Sequence, residues 1–178
     1  QGRGVKRMYD FTLPSEFERM YEDYFPKVYN FIFYRLLHKQ DTEDLVSEVF
    51  LKVARNIFSY NPQKAKFNTW IFTIARNTLT DYFRRRQRTV PLDECDAELT
   101  RIDYAEQYEA IEDDERRMVY QALMRLDSSS RQVLALKYFG ELSNREISKL
   151  TGINESTVST IALRSRQKMR EYLLENVY

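Results

Sequence analysis

The chain of 178 residues is 43% hydrophobic and 14% aromatic, so it can bury true cores and is not disordered throughout. Its net charge of +1 is small, and its four glycines, four prolines and runs of Leu, Glu, Arg, Lys and Gln favour an all-helical protein. Cys95 is the single cysteine, which excludes an internal disulfide and fits a reducing, cytoplasmic location. No apolar run approaches the ~20 residues of a membrane span, so membrane insertion is not expected.

The sequence pattern of the first 88 residues predicts a bundle of helices. An aromatic-rich helix begins near Pro14, and Pro26 is expected to interrupt it before a second helix continues to about residue 37. Asp41 is expected to cap the next helix, which buries one face at four-residue spacing. That face comprises Leu45, Val49, Val53 and Ile57. A loop from Ser59 to Lys66 follows, and a last helix runs from Phe67 to about Arg86.

A change of charge divides the chain. From Thr89 to Glu115 there are eleven acidic residues against one basic residue, Arg101, and Val90-Pro91 opens this stretch with a helix breaker. We therefore predict two small all-α domains, at residues 8–88 and 112–178, joined by an acidic linker at 89–111.

The C-terminal part has the pattern of a helix-turn-helix. Ser143 and Glu146 have the spacing of a capping box, and Gly152 can take the positive φ that ends a helix. Asn154 is the expected N-cap of a second helix, whose apolar residues recur at helical spacing and whose later turns are basic. This geometry places a recognition helix in the DNA major groove. The alternative is a purely structural pair of helices.

The segment from Leu126 to Val158 resembles the fourth conserved region of the extracytoplasmic-function (ECF) sigma factors. The matching positions are Leu126, Arg131, Val133, Leu134, Leu136, Tyr138, Leu142, Ser143, Glu146, Ile147, Leu150, Gly152, Ile153, Thr157 and Val158. Residues 41–55 and 67–88 are similar to two segments of region two in the same family, with Ser47 and Ala54 as departures. The resemblance implies a subunit that binds core RNA polymerase, reads minus-35 DNA and melts minus-10 DNA.

The resemblance assigns polymerase binding to the exposed face of the helix that follows Asp41. In this family that helix docks on the clamp of the polymerase largest subunit. The candidates are Asp41, Asp44, Ser47, Glu48, Lys52 and Arg55. A solvated helix surface is the alternative interpretation of these charges.

Two further sets are predicted to bind DNA. Melting requires a pocket for an unstacked base, and a polar loop beside aromatic residues and a basic helix suits that task. The minus-10 candidates are Tyr60, Asn61, Lys64, Lys66, Phe67, Asn68, Arg76, Asn77, Arg84, Arg85 and Arg86. Trp70 is instead expected to pack in the core. The minus-35 candidates, in the second helix of the helix-turn-helix, are Glu155, Ser156, Thr157, Ser159, Thr160, Arg164 and Arg166, whereas Ile161 is expected to face the core.

The sequence gives no support for catalysis. His38 lies at a helix end, Cys95 lies among acids that raise a thiol pKa, and neither a phosphate loop nor metal-ligand spacing is present. We therefore expect no catalytic residue, no metal site, no cofactor and no small-molecule substrate. The expected partners are core RNA polymerase, promoter DNA and an anti-sigma factor.

Two other functions compete with this interpretation. The first is a sigma-like decoy that sequesters an anti-sigma factor, which the basic residues 84–86 argue against. The second is a helix-turn-helix repressor with a helical sensor domain, which leaves the two region-two similarities unexplained.

Overall fold

The computed structural model describes residues 9–36, 38–89 and 114–176. Within these ranges the chain forms seven α-helices and one short 3-10 helix, without a β-strand, and the all-α prediction is confirmed. The α-helices are α1 (Pro14–Leu36), α2 (Lys39–Asn56), α3 (Phe67–Thr89), α4 (Asp114–Met124), α5 (Ser128–Tyr138), α6 (Asn144–Thr151) and α7 (Glu155–Asn176). The 3-10 helix, Ile57–Ser59, directly follows α2. Cys95 and the predicted linker, apart from Thr89, lie outside the described residues.

The first helix continues through Pro26, so the predicted interruption there is wrong. A proline inside a helix lacks one backbone N–H and costs about 3 kcal/mol. The cost is offset because α1 buries large side chains on both sides of Pro26, each of which contributes roughly 1.5–3 kcal/mol when fully buried. These side chains are Met20, Tyr24, Val28, Phe31, Ile32 and Leu36.

The second helix begins at Lys39, ahead of the predicted cap at Asp41. His38 is its N-cap, with an extended backbone (φ −136°, ψ 117°), and its Nδ1 accepts the Asp41 N–H at 3.2 Å. The prediction that Asp41 caps this helix is therefore wrong, because Asp41 lies inside the first turn and its amide is already satisfied. The predicted buried face is confirmed, since all four of its residues are buried.

The helix-turn-helix, α6 and α7, has the predicted boundaries. Ser143 caps α6, because its Oγ accepts the Glu146 N–H at 3.3 Å while its own N–H donates to Glu146 Oε2 at 2.8 Å. Gly152 ends α6 with a φ of 79°, and its N–H donates to the Ser148 carbonyl at 2.8 Å. Asn154 then accepts the Ser156 N–H through Oδ1 at 3.0 Å, as an N-cap does.

The N-terminal helices α1–α3 and the C-terminal helices α4–α7 share one hydrophobic core. The C-terminal residues that cluster with the buried side chains of α1, α2 and α3 are Val133, Ala135, Leu136, Leu142, Ile147, Val158 and Ala162. At the boundary the rings of Tyr34 and Phe139 stack, with centroids 5.3 Å apart and planes 7° apart. Arg35 extends this contact by donating to the Ser128 carbonyl at 2.6 Å and to the Ser128 hydroxyl. The two halves therefore pack directly against each other.

The turn between α5 and α6 is tightly packed. A Cβ atom on Gly140 would lie 2.6 Å from the Leu136 carbonyl oxygen, so this position requires glycine. Glu141 has a φ of 54°, a left-handed conformation that costs a residue with a side chain about 1–2 kcal/mol. Leu142 follows it into the core, and its N–H donates to the Leu136 carbonyl at 3.2 Å. The core contact and the backbone bond together hold the turn in this shape.

Gly140 and Gly152 should respond differently to alanine. We expect Gly140→Ala to lower the free energy of unfolding by about 2–3 kcal/mol, because the Leu136 carbonyl or the Leu142 side chain must move. Gly152→Ala is the matched control, since its new methyl group meets no atom within 4 Å and only the positive φ costs about 1 kcal/mol. Urea unfolding of both variants tests this, and an equal or smaller loss for Gly140→Ala would contradict the close packing of the turn.

Candidate polymerase and nucleic-acid interfaces

The predicted polymerase-binding residues divide into two groups on α2. Asp44, Ser47 and Arg55 are exposed to solvent, in line with the predicted surface. Leu51 lies among them on the same helix and is 58% exposed, although it is a large apolar side chain. Sequence reasoning missed Leu51. The sequence contained a signal for its exposure. Val49 and Val53 belong to the buried face, and a residue two positions from each of them lies on the opposite side of an α-helix.

The other three candidates, Asp41, Glu48 and Lys52, face α3. Asp41 Oδ2 accepts the Tyr82 hydroxyl at 2.6 Å and lies 3.3 Å from Arg86 Nη1. The Arg86 guanidinium also donates a hydrogen bond to the Tyr82 hydroxyl. Burial and the hydrogen bond to Asp41 raise the pKa of Tyr82 to about 12, so the phenol remains a donor at neutral pH. Asp41 therefore joins α2 to α3.

A second ion-pair group lies beside the first. Glu48 accepts from Lys52 at 2.7 Å and lies 3.3 Å from Arg85, and Lys52 Nζ also donates to Thr78 Oγ1 at 3.0 Å. The hydrogen bond from Lys52, helped by Arg85, lowers the pKa of the Glu48 carboxyl below its usual value. The acids assigned to polymerase binding thus hold two of the arginines assigned to DNA. A Glu48→Lys substitution would place three cations together, so it is a poor probe of polymerase binding.

The loop before α3 is ordered by its own polar groups and by aromatic packing. Asn61 Oδ1 accepts the Gln63 N–H at 2.9 Å, and the Tyr60 hydroxyl donates to the Ala65 carbonyl at 3.1 Å. The Tyr60 ring lies 5.1 Å from that of Phe67 and 5.4 Å from that of Trp70. Trp70 packs against the core as expected, but it stays partly exposed.

The remaining minus-10 candidates differ in how accessible they are. Asn61, Lys64, Lys66, Asn77, Arg84 and Arg85 are exposed, whereas Tyr60, Phe67, Asn68, Arg76 and Arg86 are half-buried. A cleft of about 420 Å³ brings several of them together across the boundary between the two halves. Its walls include Lys64, Lys66, Arg76 and Asn77 on one side and Glu146 and Lys149 of α6 on the other.

The predicted minus-35 residues all lie on the solvent-exposed surface of α7. The Thr160 hydroxyl donates to the Ser156 carbonyl at 3.0 Å, so its proton is already used within the helix. Ile161 is half-buried against the core, as expected, and Ser165 is buried. Arg164 and Arg166 are separated by about 200° around the helix and lie on different flanks.

An apolar groove of about 430 Å³, which sequence reasoning missed, lies on the Arg166 flank of α7. Its apolar lining includes Tyr34, Leu123, Leu134, Phe139, Met169 and Leu173. Three cations also border it, namely Arg131, Arg166 and Arg170. The available signal was the apolar pair Met169 and Leu173, which continues at four-residue spacing beyond the helix-turn-helix.

The described residues contain neither a metal-binding cluster nor a membrane-spanning helix. Among residues 9–36, 38–89 and 114–176, no group of His, Cys, Asp and Glu is arranged to hold a metal ion. No helix in that part of the chain combines the length and apolar character needed to cross a membrane.

Comparison with known proteins identifies both halves. Residues 20–89 match the family described as Sigma-70 region 2, and residues 116–169 match Sigma-70, region 4. The ECF RNA polymerase sigma factor BldN of Streptomyces coelicolor is 29% identical over 160 residues, which cover 88% of this chain and 60% of BldN. The ECF RNA polymerase sigma factor SigX of Bacillus subtilis is 28% identical over 166 residues, which cover 90% of this chain and 85% of SigX.

Solved structures share the fold. The sigma factor RpoE in complex with the anti-sigma factor NepR from Bartonella quintana superposes with a TM-score of 0.67 at 17% identity, over 91% of this chain and 99% of RpoE. CnrH in complex with the cytosolic domain of CnrY gives 0.60 at 19% identity, over 92% of this chain and 91% of CnrH. With the two ordered matches to regions two and four, these findings show that the chain belongs to the ECF family of RNA polymerase sigma factors.

Proposed function

We propose that this sigma factor, which directs promoter-specific transcription initiation, binds core RNA polymerase through the exposed face of α2, reads minus-35 DNA with α7 and melts minus-10 DNA with residues 59–68 and α3. One observation carries the proposal. A capped helix-turn-helix whose first turns are polar and exposed occurs on the same chain as helices α1–α3, which present an exposed face on α2 and a basic end on α3. The chain acts in the cytoplasm without catalytic activity of its own, since core polymerase supplies the chemistry.

The α2 face has the composition of a protein-binding surface. Leu51 supplies an exposed apolar centre, and Asp44, Ser47 and Arg55 supply a polar rim. Interfaces concentrate their binding energy in a few such central side chains, whereas rim charges chiefly set encounter rate and register. This supports Leu51 as the main anchor for the polymerase.

The exposed arginines at the end of α3 support phosphate binding. Arg84 is 67% exposed and pairs with Asp81 of the previous turn at 2.8 Å, so it can turn toward DNA at little cost. Arg86 is held instead by Asp41 and Tyr82, which gives it a structural role between α2 and α3. Arg84 is therefore the better candidate for a phosphate contact.

The apolar groove beside α7 supports binding of an anti-sigma factor. Among solved structures with this fold, the sigma factor RpoE is bound to the anti-sigma factor NepR, and CnrH is bound to the cytosolic domain of CnrY. An amphipathic helix that carries acidic residues beside its apolar face would match an apolar groove bordered by Arg131, Arg166 and Arg170.

Leu51→Ala should weaken binding to core polymerase by about fivefold to tenfold, because it removes the apolar centre of the α2 face. Asp44→Lys should slow association with core polymerase at low salt, because it reverses a charge on the rim of this face. The thermal midpoint should stay unchanged, because both side chains are exposed. Leu163→Ala on α7 is the matched control, since Leu163 is also 58% exposed. Equal affinities of the Leu51 and Leu163 variants in a titration of labelled protein with core polymerase would contradict this assignment.

Arg84→Ala and Arg86→Ala should separate phosphate binding from stability. For Arg84→Ala we expect the slope of log affinity for promoter DNA against log salt to fall by about one, with unchanged unfolding. For Arg86→Ala we expect the free energy of unfolding to fall by about 1–3 kcal/mol, because Asp41 and Tyr82 lose a partner. Salt titrations of the reconstituted holoenzyme and urea unfolding provide the two measurements. If instead Arg86→Ala lowers the salt slope and Arg84→Ala lowers the free energy of unfolding, Arg86 binds phosphate and Arg84 has the structural role.

In vitro transcription with core polymerase on a library randomised at minus-35 tests the whole function. The wild-type chain should select a consensus, and Ser159→Ala should change base preference at one or two positions by about 1 kcal/mol or less. Arg164→Ala should lower initiation on all sequences alike, since a phosphate contact carries no base information. Gln167→Ala, which alters another exposed residue of α7, is the control. Absence of any selected consensus would remove support from the sigma function and favour a decoy.

A further inference from the structure

The apolar groove beside α7 is lined by one face of each of two helices. Both α5 and α7 contribute residues at positions i, i+3, i+4, i+7 and i+8, which lie on one side of an α-helix. On α5 these residues are Arg131, Leu134, Ala135, Tyr138 and Phe139, and on α7 they are Arg166, Met169, Arg170, Leu173 and Leu174. The groove is therefore a slot along two helices rather than an isolated dimple between side chains.

The slot leaves large apolar side chains in contact with water. Tyr138 is 53% exposed and Leu174 is 59% exposed. Beneath them Leu123, Leu126 and Leu134 form a buried cluster against which Met169 packs. Covering this surface with an apolar ligand would remove it from water, which is the main driving force for binding of apolar chains. The volume of about 430 Å³ lies within the range of small-molecule pockets, roughly 300–1,000 Å³.

The charged residues among the described lining of the groove are all arginines. Arg131 is held at the start of α5, where its guanidinium donates to the Leu126 carbonyl. Arg166 and Arg170 are exposed, and they follow each other by about one helical turn, which is about 6 Å along the axis. Two guanidinium groups at this spacing can hold the two oxygens of a single carboxylate. The border of the groove thus favours one anionic group beside a long apolar surface.

A single-chain anionic amphiphile has this combination of properties. An α-helix with its side chains is about 10 Å across, so a partner helix can insert only side chains into the groove. One alkyl chain is much thinner and can be buried along its length between α5 and α7. An aliphatic carboxyl group, with a pKa near that of a glutamic acid side chain, is ionised at neutral pH and matches the arginines.

We propose that the groove binds a long-chain fatty acid, with its carboxylate on Arg166 and Arg170 and its tail along Met169, Leu173 and the apolar face of α5. The inference goes beyond the proposed function, because this binding requires neither polymerase nor promoter DNA. The fatty acid is a ligand and not a substrate. A fatty acid in the groove and a partner helix docked on the groove would exclude each other, so a lipid-derived signal could release a bound regulator.

Calorimetric titration of the full chain with sodium salts of straight-chain fatty acids, below their micelle concentrations, tests the proposal. Dodecanoate should bind saturably with one-to-one stoichiometry. Affinity should rise about twofold to fourfold for each added methylene, which corresponds to half to full burial of that group, and should stop rising once the tail exceeds the groove. Dodecanol, which lacks the charge, and dodecyltrimethylammonium, which reverses it, should bind at least threefold more weakly. Equal binding of the three head groups, or no saturable binding, would overturn the inference and leave the groove to a protein helix.

Exposed arginines allow the head-group site to be tested without risk to the fold. Arg166→Gln combined with Arg170→Gln should weaken dodecanoate binding about threefold to tenfold, because two exposed charge pairs are lost. Lys168→Gln combined with Arg145→Gln is the charge-matched control, since both residues are exposed and neither lines the groove. An equal loss in the two double variants would mean that general positive charge attracts the ligand, and the assigned site would be wrong.

Filling the groove tests the position of the tail. Met169→Trp should take up the space of about two to three methylenes, weaken dodecanoate binding about tenfold and shorten the chain length at which affinity stops rising. Leu163→Trp on the same helix is the control, because Leu163 is 58% exposed and lies outside the lining. Circular dichroism of both variants verifies that helicity is unchanged. If the limiting chain length is the same in wild type and both variants, the tail does not lie in this groove and the inference fails.

Discussion

The carboxylate of Glu146 links the local start of a helix to the contact between two regions of the chain. It accepts the Ser143 N–H and hydroxyl, at 2.8 and 2.6 Å, and so fixes the first turn of α6. The other oxygen meets Lys66 and Thr69 on the opposite side of the boundary. A neutral side chain at this position would keep part of the cap but lose the attraction to Lys66. The position of the helix-turn-helix relative to α3 therefore depends on an ionised group whose first role is capping.

Charge pairing also decides what each basic and acidic residue can do. Asp41 and Glu48 bind Arg86 and Arg85, so part of the charge that resembles a polymerase or DNA contact in the sequence serves to join α2 to α3. The residues that we propose for binding are exposed ones, chiefly Leu51 and Asp44 on α2 and Arg84 on α3. Region two thus combines a fixed internal network with two separate outer surfaces. A partner can bind either surface without breaking that network.

The sequence predicted best those features that depend on neighbours along the chain. The capping box at Ser143, the left-handed Gly152 and the buried face of α2 follow from local chemistry and helical spacing, and all were found. Pro26 and Asp41 were misjudged because burial along α1 outweighs the cost of one proline, and because His38 supplied a cap that its residue type rarely provides. The apolar groove and the contacts of Asn68 with region four join residues far apart in sequence, and one sequence without such pair information cannot place them.

Trp70 gives the molecule a built-in optical probe. It is the single tryptophan of the chain, and its indole lies partly exposed against Tyr60 and Phe67 beside the loop that precedes α3. Indole emission depends on the polarity around the ring, and nearby tyrosines transfer their excitation to it. Because the turn after α5 contacts Asn68, which is bonded to Tyr24 beside this aromatic cluster, a rearrangement of the turn changes the surroundings of the indole. The indole fluorescence of the unlabelled protein therefore originates from one known place, next to the loop that we propose for strand separation.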